Sequence, residues 1–400
     1  MAQPLRPATL AEAKAAHAKL LASGHMVRTP LVRLNWSSGD EDVEIYLKLE
    51  CLQPIGSFKV RGAGNALASA NPSELAHGVV TASAGNMAQG VAACARKLGV
   101  PCTVVVPESA PRTKLAAVER LGGRVIRVPY DEWWQVIQTG RCPQVPKGYF
   151  VHPVLDQRVL AGNGTIALEI REDLPDADVI LVPFGGGALA GGIGSVVRGL
   201  EAANSGFTSG RCRVLAVEPA PAAPCAMSFE RGEPCRFEAH RQSFVDGCGG
   251  KALIPQMWPV VSRVLDGALA VELDDVVTAI RTLCERNKVV AEGAGACPVA
   301  AAMRGLCLDP EQQRQRKLKH SKTKIVCVVS GGGLDTDKLI QILSRCPASA
   351  TDKPSGPECP VTKRMTGSFW SSWWIQTTVL TAAAAATALT LRRLVLTQHR

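Results

Sequence analysis

Aromatic side chains make up only 4% of the 400 residues, too few for the stacking platforms that hold single-stranded nucleic acid. Paired cysteines are also missing. The fourteen cysteines are scattered, and none stands at C-x-x-C spacing, which argues against both zinc ligation and a dithiol redox motif. With 46% hydrophobic residues the chain can bury a sizeable core and needs no disulfide framework, so reduced thiols in a cytoplasmic setting are expected. The N-terminus carries no signal-peptide apolar core. Thr9 and Glu12 stand at capping-box spacing before a helical face of Leu10, Ala13, His17, Leu20 and Leu21, with Gly24 as its stop, which leaves little room for a transit peptide. No repeat of solenoid length is present.

Glycine is plentiful, with 37 residues, and the Val/Ile/Leu runs are short. The formal charge of +10 collects in Arg314, Arg316, Lys317, Lys319, Lys322 and Lys324 and in the tail beyond residue 360. Such a run reads as a solvated loop, and without a nucleic-acid-binding signature it implies no nucleic-acid partner. Alternating strands and helices are expected along the chain. Strands are predicted at 43–49, 79–82, 100–106, 124–128, 179–182, 214–217 and 325–329. Helices are predicted from Lys59 to about residue 70, from 86 to 98 with Met87, Val91, Cys94 and Leu98 on one face, and at 113–121, 165–170, 274–286 and 294–304. Repeated βα units with short connections predict an α/β chain with parallel, doubly wound sheets. The expected organisation is a large domain from 1–65 and 165–345, a small domain from 66–164, and a tail from 346–400.

Four segments carry the chemistry. The first is Gly56-Ser57-Phe58-Lys59-Val60-Arg61-Gly62-Ala63, where a strand hands over to a helix. A lysine there, among small neighbours, could lose solvation and become a nucleophilic amine able to form a Schiff base; alone, it would read as a snorkelling surface lysine. The second is Thr81-Ala82-Ser83-Ala84-Gly85-Asn86, whose small residues let N–H groups converge on an anion at a helix N-terminus. The third, Phe184-Gly185-Gly186-Gly187-Ala188-Leu189-Ala190, is a phosphate cup by the same physics and lacks the spacing of a nucleotide P-loop. The fourth is Ser330-Gly331-Gly332-Gly333, closing an apolar strand; read alone, Ser330 caps a following helix.

Together these segments resemble the serine/threonine dehydratases, fold-type II pyridoxal 5′-phosphate enzymes of the tryptophan synthase beta-like superfamily. The resemblance covers roughly residues 9–345, and the motifs stand in the family's order. It implies two doubly wound parallel-sheet domains and pyridoxal 5′-phosphate as cofactor, bound covalently to Lys59. It implies contacts to the cofactor from Phe58, Asn86, Gly185, Gly186, Gly187, Ala188, Glu292 and Ser330, and places the substrate carboxylate on Ser83, Ala84 and Gly85. The implied reaction is α,β-elimination of water from L-serine or L-threonine, with Lys59 as general base, giving pyruvate or 2-oxobutanoate and ammonia. A neutral serine at the ring nitrogen, Ser330, suits elimination. A homo-oligomer is the expected assembly.

The chain departs from the pattern in places. Ala84 replaces the second serine found in serine racemases, so racemisation lacks its donor. Met87 replaces a frequent histidine, and Ala188 replaces a fourth glycine. At the family's cation site Glu218 is followed by Ala222 and Pro224, so no metal is expected. With few residues after 345, the regulatory domain of biosynthetic threonine dehydratases is not expected, and a catabolic-type enzyme is the expectation. The alternatives are a serine racemase, a dehydratase of another 3-hydroxyamino acid, and a membrane-tethered binding protein that retains the fold without catalysis. A cysteine-synthesis type of β-replacement fits less well, because its lysine motif continues with Asp-Arg. Phe369–Leu391 holds no charged residue and is long enough to cross a bilayer, with Trp370, Trp373 and Trp374 at one end and Arg392-Arg393 beyond the other. Its alanine, serine and threonine content makes insertion marginal, so 369–391 stands equally as a tail anchor or as an interfacial or disordered tail.

Overall fold

A computed structural model describes residues 4–36, 42–110, 112–208, 210–309, 311 and 321–344. The basic residues 314–319 and the apolar segment 369–391 lie outside the described residues. Ten strands are described: β1 (Leu31–Arg33), β2 (Val43–Lys48), β3 (Val79–Ala82), β4 (Cys102–Pro107), β5 (Gly123–Val128), β6 (Tyr149–Phe150), β7 (Val179–Pro183), β8 (Arg213–Pro219), β9 (Gly267–Val271) and β10 (Thr323–Val328). They form a six-stranded sheet in the order β1-β2-β10-β7-β8-β9 and a four-stranded sheet in the order β5-β4-β3-β6.

Both sheets are parallel except at one edge, where β1 runs antiparallel to β2 with Leu31 opposite Lys48. All five residues of β7 are buried, the mark of a strand covered on both faces. The four-stranded sheet uses residues 79–150 and the six-stranded sheet residues 31–48 and 179–328, while residues 1–352 group as one compact unit. The breaks placed at 65/66 and 164/165 fall inside the helices Lys59–Ala68 and Gln157–Asp173.

Local chemistry explains the element ends. Thr9 and Glu12 form the capping box and Gly24 closes that first helix in the left-handed region, although Leu21 on the expected apolar face is 48% exposed. Leu98 likewise ends its helix exposed rather than buried. The Gln157–Asp173 helix is nearly three times as long as the expected 165–170. Asp156 caps it by accepting from the Arg158 N–H, and Gly162 and Gly164 inside it mask the pattern. Those glycines are packing devices. A Cβ at Gly162 would lie 2.4 Å from the Arg61 carbonyl oxygen, and one at Gly164 would lie 2.9 Å from that of Gly192. Three helices, Lys59–Ala68, Gln157–Asp173 and Ala188–Ala202, therefore meet at backbone distance. Among the described residues no helix is long and apolar enough to cross a membrane.

Candidate active site

Parallel sheets deliver their loops to one end, and here the three glycine-rich segments all follow the C-terminal ends of strands. β3 leads into Ser83–Asn86, β7 into Phe184–Ala188 and β10 into Ser330–Gly333. The last of these is a rail between Gly56–Phe58 and Glu292. The Phe58 N–H donates to the Ser330 carbonyl (3.0 Å), Gly332 N–H to Gly56 (2.9 Å) and Glu292 N–H to Gly331 (3.0 Å). A Cβ at Gly331 would sit 2.5 Å from Glu292 Oε1, so the rail has no room for a side chain there. Ser330 is 2% exposed and the next helix starts only at Thr336, so it caps no helix.

Lys59 opens its helix half-buried, with Nζ 4.8 Å from the Phe58 ring centroid. Burial lowers its amine to about 8, against the opposing pull of the Glu292 carboxylate. Glu292 is 6% exposed, not a surface residue, and both its oxygens accept from Asn86 Nδ2, at 3.0 and 3.1 Å. The Asn86–Lys97 helix rests directly on Lys59: a Cβ at Gly90 would lie 3.1 Å from the Lys59 carbonyl oxygen. Lys59, Phe58, Glu292, Asn86 and Ser330 are thus brought to one place by backbone as well as side-chain contacts. Ahead of Asn86, Ser83 Oγ accepts from the Gly85 N–H (3.3 Å), and a Cβ at Gly85 would meet nothing within 4 Å. The loop faces open space at Gly85. Met87 is buried at 2% exposure.

The 184–188 loop is tied to β8 by Phe184 N–H donating to Val217 (2.9 Å) and to a later segment by Gly249 N–H donating to Phe184 (2.8 Å). Gly187 has φ +93°, a conformation glycine adopts without strain, and Ala188 begins the Ala188–Ala202 helix. The first N–H groups of that helix have no intrahelical acceptors and lie at its positive end. The cradle suits a phosphate, and a half-buried amine of lowered pKa suits a covalent carbonyl cofactor. The residues present fit pyridoxal phosphate.

Several contacts are not legible in the motifs. Val154 covers Gly186, where a Cβ would lie 2.3 Å from Val154 Cγ2, and His152 Nδ1 holds that turn by accepting from the Val154 (3.0 Å) and Leu155 (2.8 Å) N–H groups. Gly247 lies against Glu292, and Met257 against Gly187. The His-Pro pair after β6 was the one signal available for the first of these.

Beneath the Lys59 helix lies a buried ionic cluster. Arg61, wholly buried, donates to Glu50 through Nε (2.7 Å) and Nη2 (2.7 Å) and to Glu169 through Nη1 (2.7 Å) and Nη2 (2.9 Å). Lys48 Nζ donates to the Thr29 carbonyl (2.6 Å) and pairs with Glu169 Oε2 (2.7 Å). Burial would raise the Glu169 carboxyl, but hydrogen bonds from His17 and Arg61 and the Arg61 and Lys48 charges hold it well below the usual carboxylate range. Glu218 presents the opposite case. It is wholly buried, its Oε2 accepts from Cys225 (2.9 Å) and Ala226 (3.1 Å), its Oε1 has no partner, and burial raises its carboxyl well above the ordinary value. Ala222 and Pro224 add no carboxylate beside it, and among the described residues no cluster of three or more His, Cys, Asp or Glu side chains is placed to hold a metal. That donor set does not fit a divalent cation.

Comparison with known proteins agrees with this geometry. Residues 22–331 match the family described as "Pyridoxal-phosphate dependent enzyme". The L-threonine ammonia-lyase of Thermotoga maritima is 37% identical over 304 residues, 76% of this chain and 70% of that protein. The catabolic L-threonine dehydratase of Escherichia coli is 35% identical over 327 residues, 81% of this chain and 93% of that protein. The structure of maize serine racemase superposes with a TM-score of 0.71 at 29% identity, covering 84% of this chain and 96% of that one. The chain belongs to the pyridoxal-phosphate dependent enzyme family.

Proposed function

We propose that this enzyme is an L-threonine/L-serine ammonia-lyase, eliminating water from a small 3-hydroxyamino acid to give 2-oxobutanoate or pyruvate and ammonia. One observation carries the reading: Lys59, an amine of lowered pKa, faces the Glu292–Asn86 pair where three glycine-rich loops converge. Bound pyridoxal phosphate supplies the electron sink that makes the substrate α-proton removable. The chain's residues do the rest. Gly185–Ala188 would hold the phosphate with backbone N–H groups, Phe58 would pack on the ring, and Asn86, oriented by Glu292, would fix the ring's edge. Ser330 presents a neutral hydroxyl. Ser83–Gly85 receive the substrate carboxylate, and the Lys59 amine takes the α-proton as general base. Its lowered pKa places more of the amine in the basic form near neutral pH than an ordinary lysine would have.

Racemisation is the second reading, favoured by the similarity to maize serine racemase and opposed by Ala84, whose methyl group cannot deliver a proton to the opposite face. The same reading divides the chain into a large domain on the six-stranded sheet and a small one on the four-stranded sheet. It takes the assembly as a homo-oligomer in the cytoplasm, and deletion of 366–400 followed by membrane fractionation tests the anchor. The deciding assay offers L-threonine, L-serine and D-serine to the purified enzyme. Release of 2-oxo acid from an L-substrate is expected; conversion of L- to D-serine without oxo acid would establish the racemase instead, and neither product would leave a dehydratase of another 3-hydroxyamino acid or a non-catalytic binding protein.

A further inference from the structure

Cys248 and Cys297 play no part in the reaction above, yet their sulfurs lie 3.8 Å apart and both are buried. Cys297 sits in the Gly293–Met303 helix, which follows directly on Glu292. Cys248 sits in a short segment pressed between that helix and the glycine loop. On one side, a Cβ at Gly247 would lie 2.8 Å from Ala294 Cβ and 3.2 Å from Glu292 Oε1. On the other, the Gly247 carbonyl oxygen lies 3.2 Å from where a Gly185 Cβ would stand, and the Gly249 N–H donates to Phe184 (2.8 Å).

We propose that Cys248 and Cys297 form a redox-responsive dithiol clasp behind the glycine loop, and that closing it to a disulfide weakens the hold on the cofactor phosphate. The inference rests on the reading that Gly185–Ala188 hold that phosphate. A disulfide brings the sulfurs to about 2.0 Å, so the 3.8 Å contact must shorten by nearly half. Cys297 is fixed in a packed helix, so the 247–249 segment must move; glycines on both sides of Cys248 permit the shift. That movement pulls the Gly249 N–H from Phe184, one of the loop's two backbone ties, and shifts the Gly247 carbonyl that packs against Gly185. Hydrogen peroxide balances the chemistry. One sulfur attacks the O–O bond, forming S–OH and releasing water; the second thiol attacks that sulfur, forming S–S and releasing a second water, so two thiols are oxidised and one peroxide is reduced. The Cys297 contact and burial raise the Cys248 thiol well above its ordinary value, so reaction waits on opening of the segment. Bound cofactor favours the unshifted loop over the shifted one, and by reciprocity oxidation, which favours the shifted one, weakens cofactor binding.

The test treats the holoenzyme with hydrogen peroxide and maps its peptides without reduction, while retained pyridoxal phosphate is read by absorbance after filtration. The expected result is a Cys248–Cys297 cross-link, a rise of about fivefold or more in the cofactor dissociation constant, and reversal by dithiothreitol. Cys297→Ala and Cys248→Ser should each abolish the peroxide effect on cofactor retention. Oxidation without that cross-link, a cross-link that leaves retention unchanged, or the same loss in Cys297→Ala would overturn the inference. A preparation carrying no cofactor before oxidation would break the reading of the loop along with it.

Discussion

Lys48 and Lys59 stand eleven residues apart, on either side of one strand-to-helix turn, and the protein treats their amines in opposite ways. Lys48 is wholly buried, but Glu169 and the Thr29 carbonyl compensate its charge, and with Arg61 and Glu50 it completes a cluster of two cations and two anions. Lys59 is less buried yet poorly compensated: its neighbours are the Phe58 ring and a carboxylate shared with Asn86. The lower cluster anchors the helix, and the upper side leaves one amine free to change its protonation. Burial alone does not decide what a lysine can do; the number of partners does.

Substitutions sharpen that contrast. The largest effect is expected for Lys59→Ala, with turnover falling on the order of 10³-fold or more, measured as 2-oxo acid release. Without cofactor, Lys59→Met should make the protein more stable at pH 7 by about 1–3 kcal/mol. The sign follows from the lowered pKa: the folded state loses its proton near pH 8 and the unfolded chain near its ordinary 10.5, so stability rises with pH between these values and the charge is unfavourable below them. The gain should therefore shrink above pH 8 in urea titrations. Lys48→Met leaves Glu169 under-compensated and should cost about 3–5 kcal/mol, with the cofactor absorbance band kept by the molecules that fold. A Lys48→Met protein as stable as the parent would remove the anchoring role.

Glu218→Gln tests the isolated carboxyl. A group whose folded pKa is raised contributes fully at low pH and loses that contribution as pH rises, so the glutamine should stabilise by about 1–2 kcal/mol at pH 8 and by less near pH 4. Equal effects at both pH values would mean that charge is not the cause. The smallest change is expected for His17→Asn, at most about 1 kcal/mol by thermal unfolding, because the 3.3 Å contact to Glu169 is long and lies at the rim of the cluster.

The glycine-rich loops and the position of Lys59 were more legible than their supports. Consecutive glycines after apolar strands, and a lysine opening a helix, are local signals, and they fell together as the motifs implied. The ionic cluster was not legible, because Glu50, Arg61 and Glu169 are spread over more than a hundred residues and each looks like a surface charge in sequence. Strand β9 escaped notice because Gly267-Ala-Leu-Ala has little β-propensity and is held by pairing with β8. Strand β6 is only Tyr149–Phe150, too short for an alternating pattern. The Tyr130–Thr139 helix has no side-chain N-cap and carries Trp133 and Trp134, weaker helix formers.

The most direct measurement is borohydride reduction of the purified holoenzyme, which fixes a lysine-bound pyridoxal group as a stable phosphopyridoxyl-lysine, followed by peptide mass mapping. The account predicts the added mass on Lys59 alone, with Lys48 unmodified. Modification of Lys48 or of another lysine in place of Lys59, or no modified lysine in a cofactor-loaded protein, would contradict it.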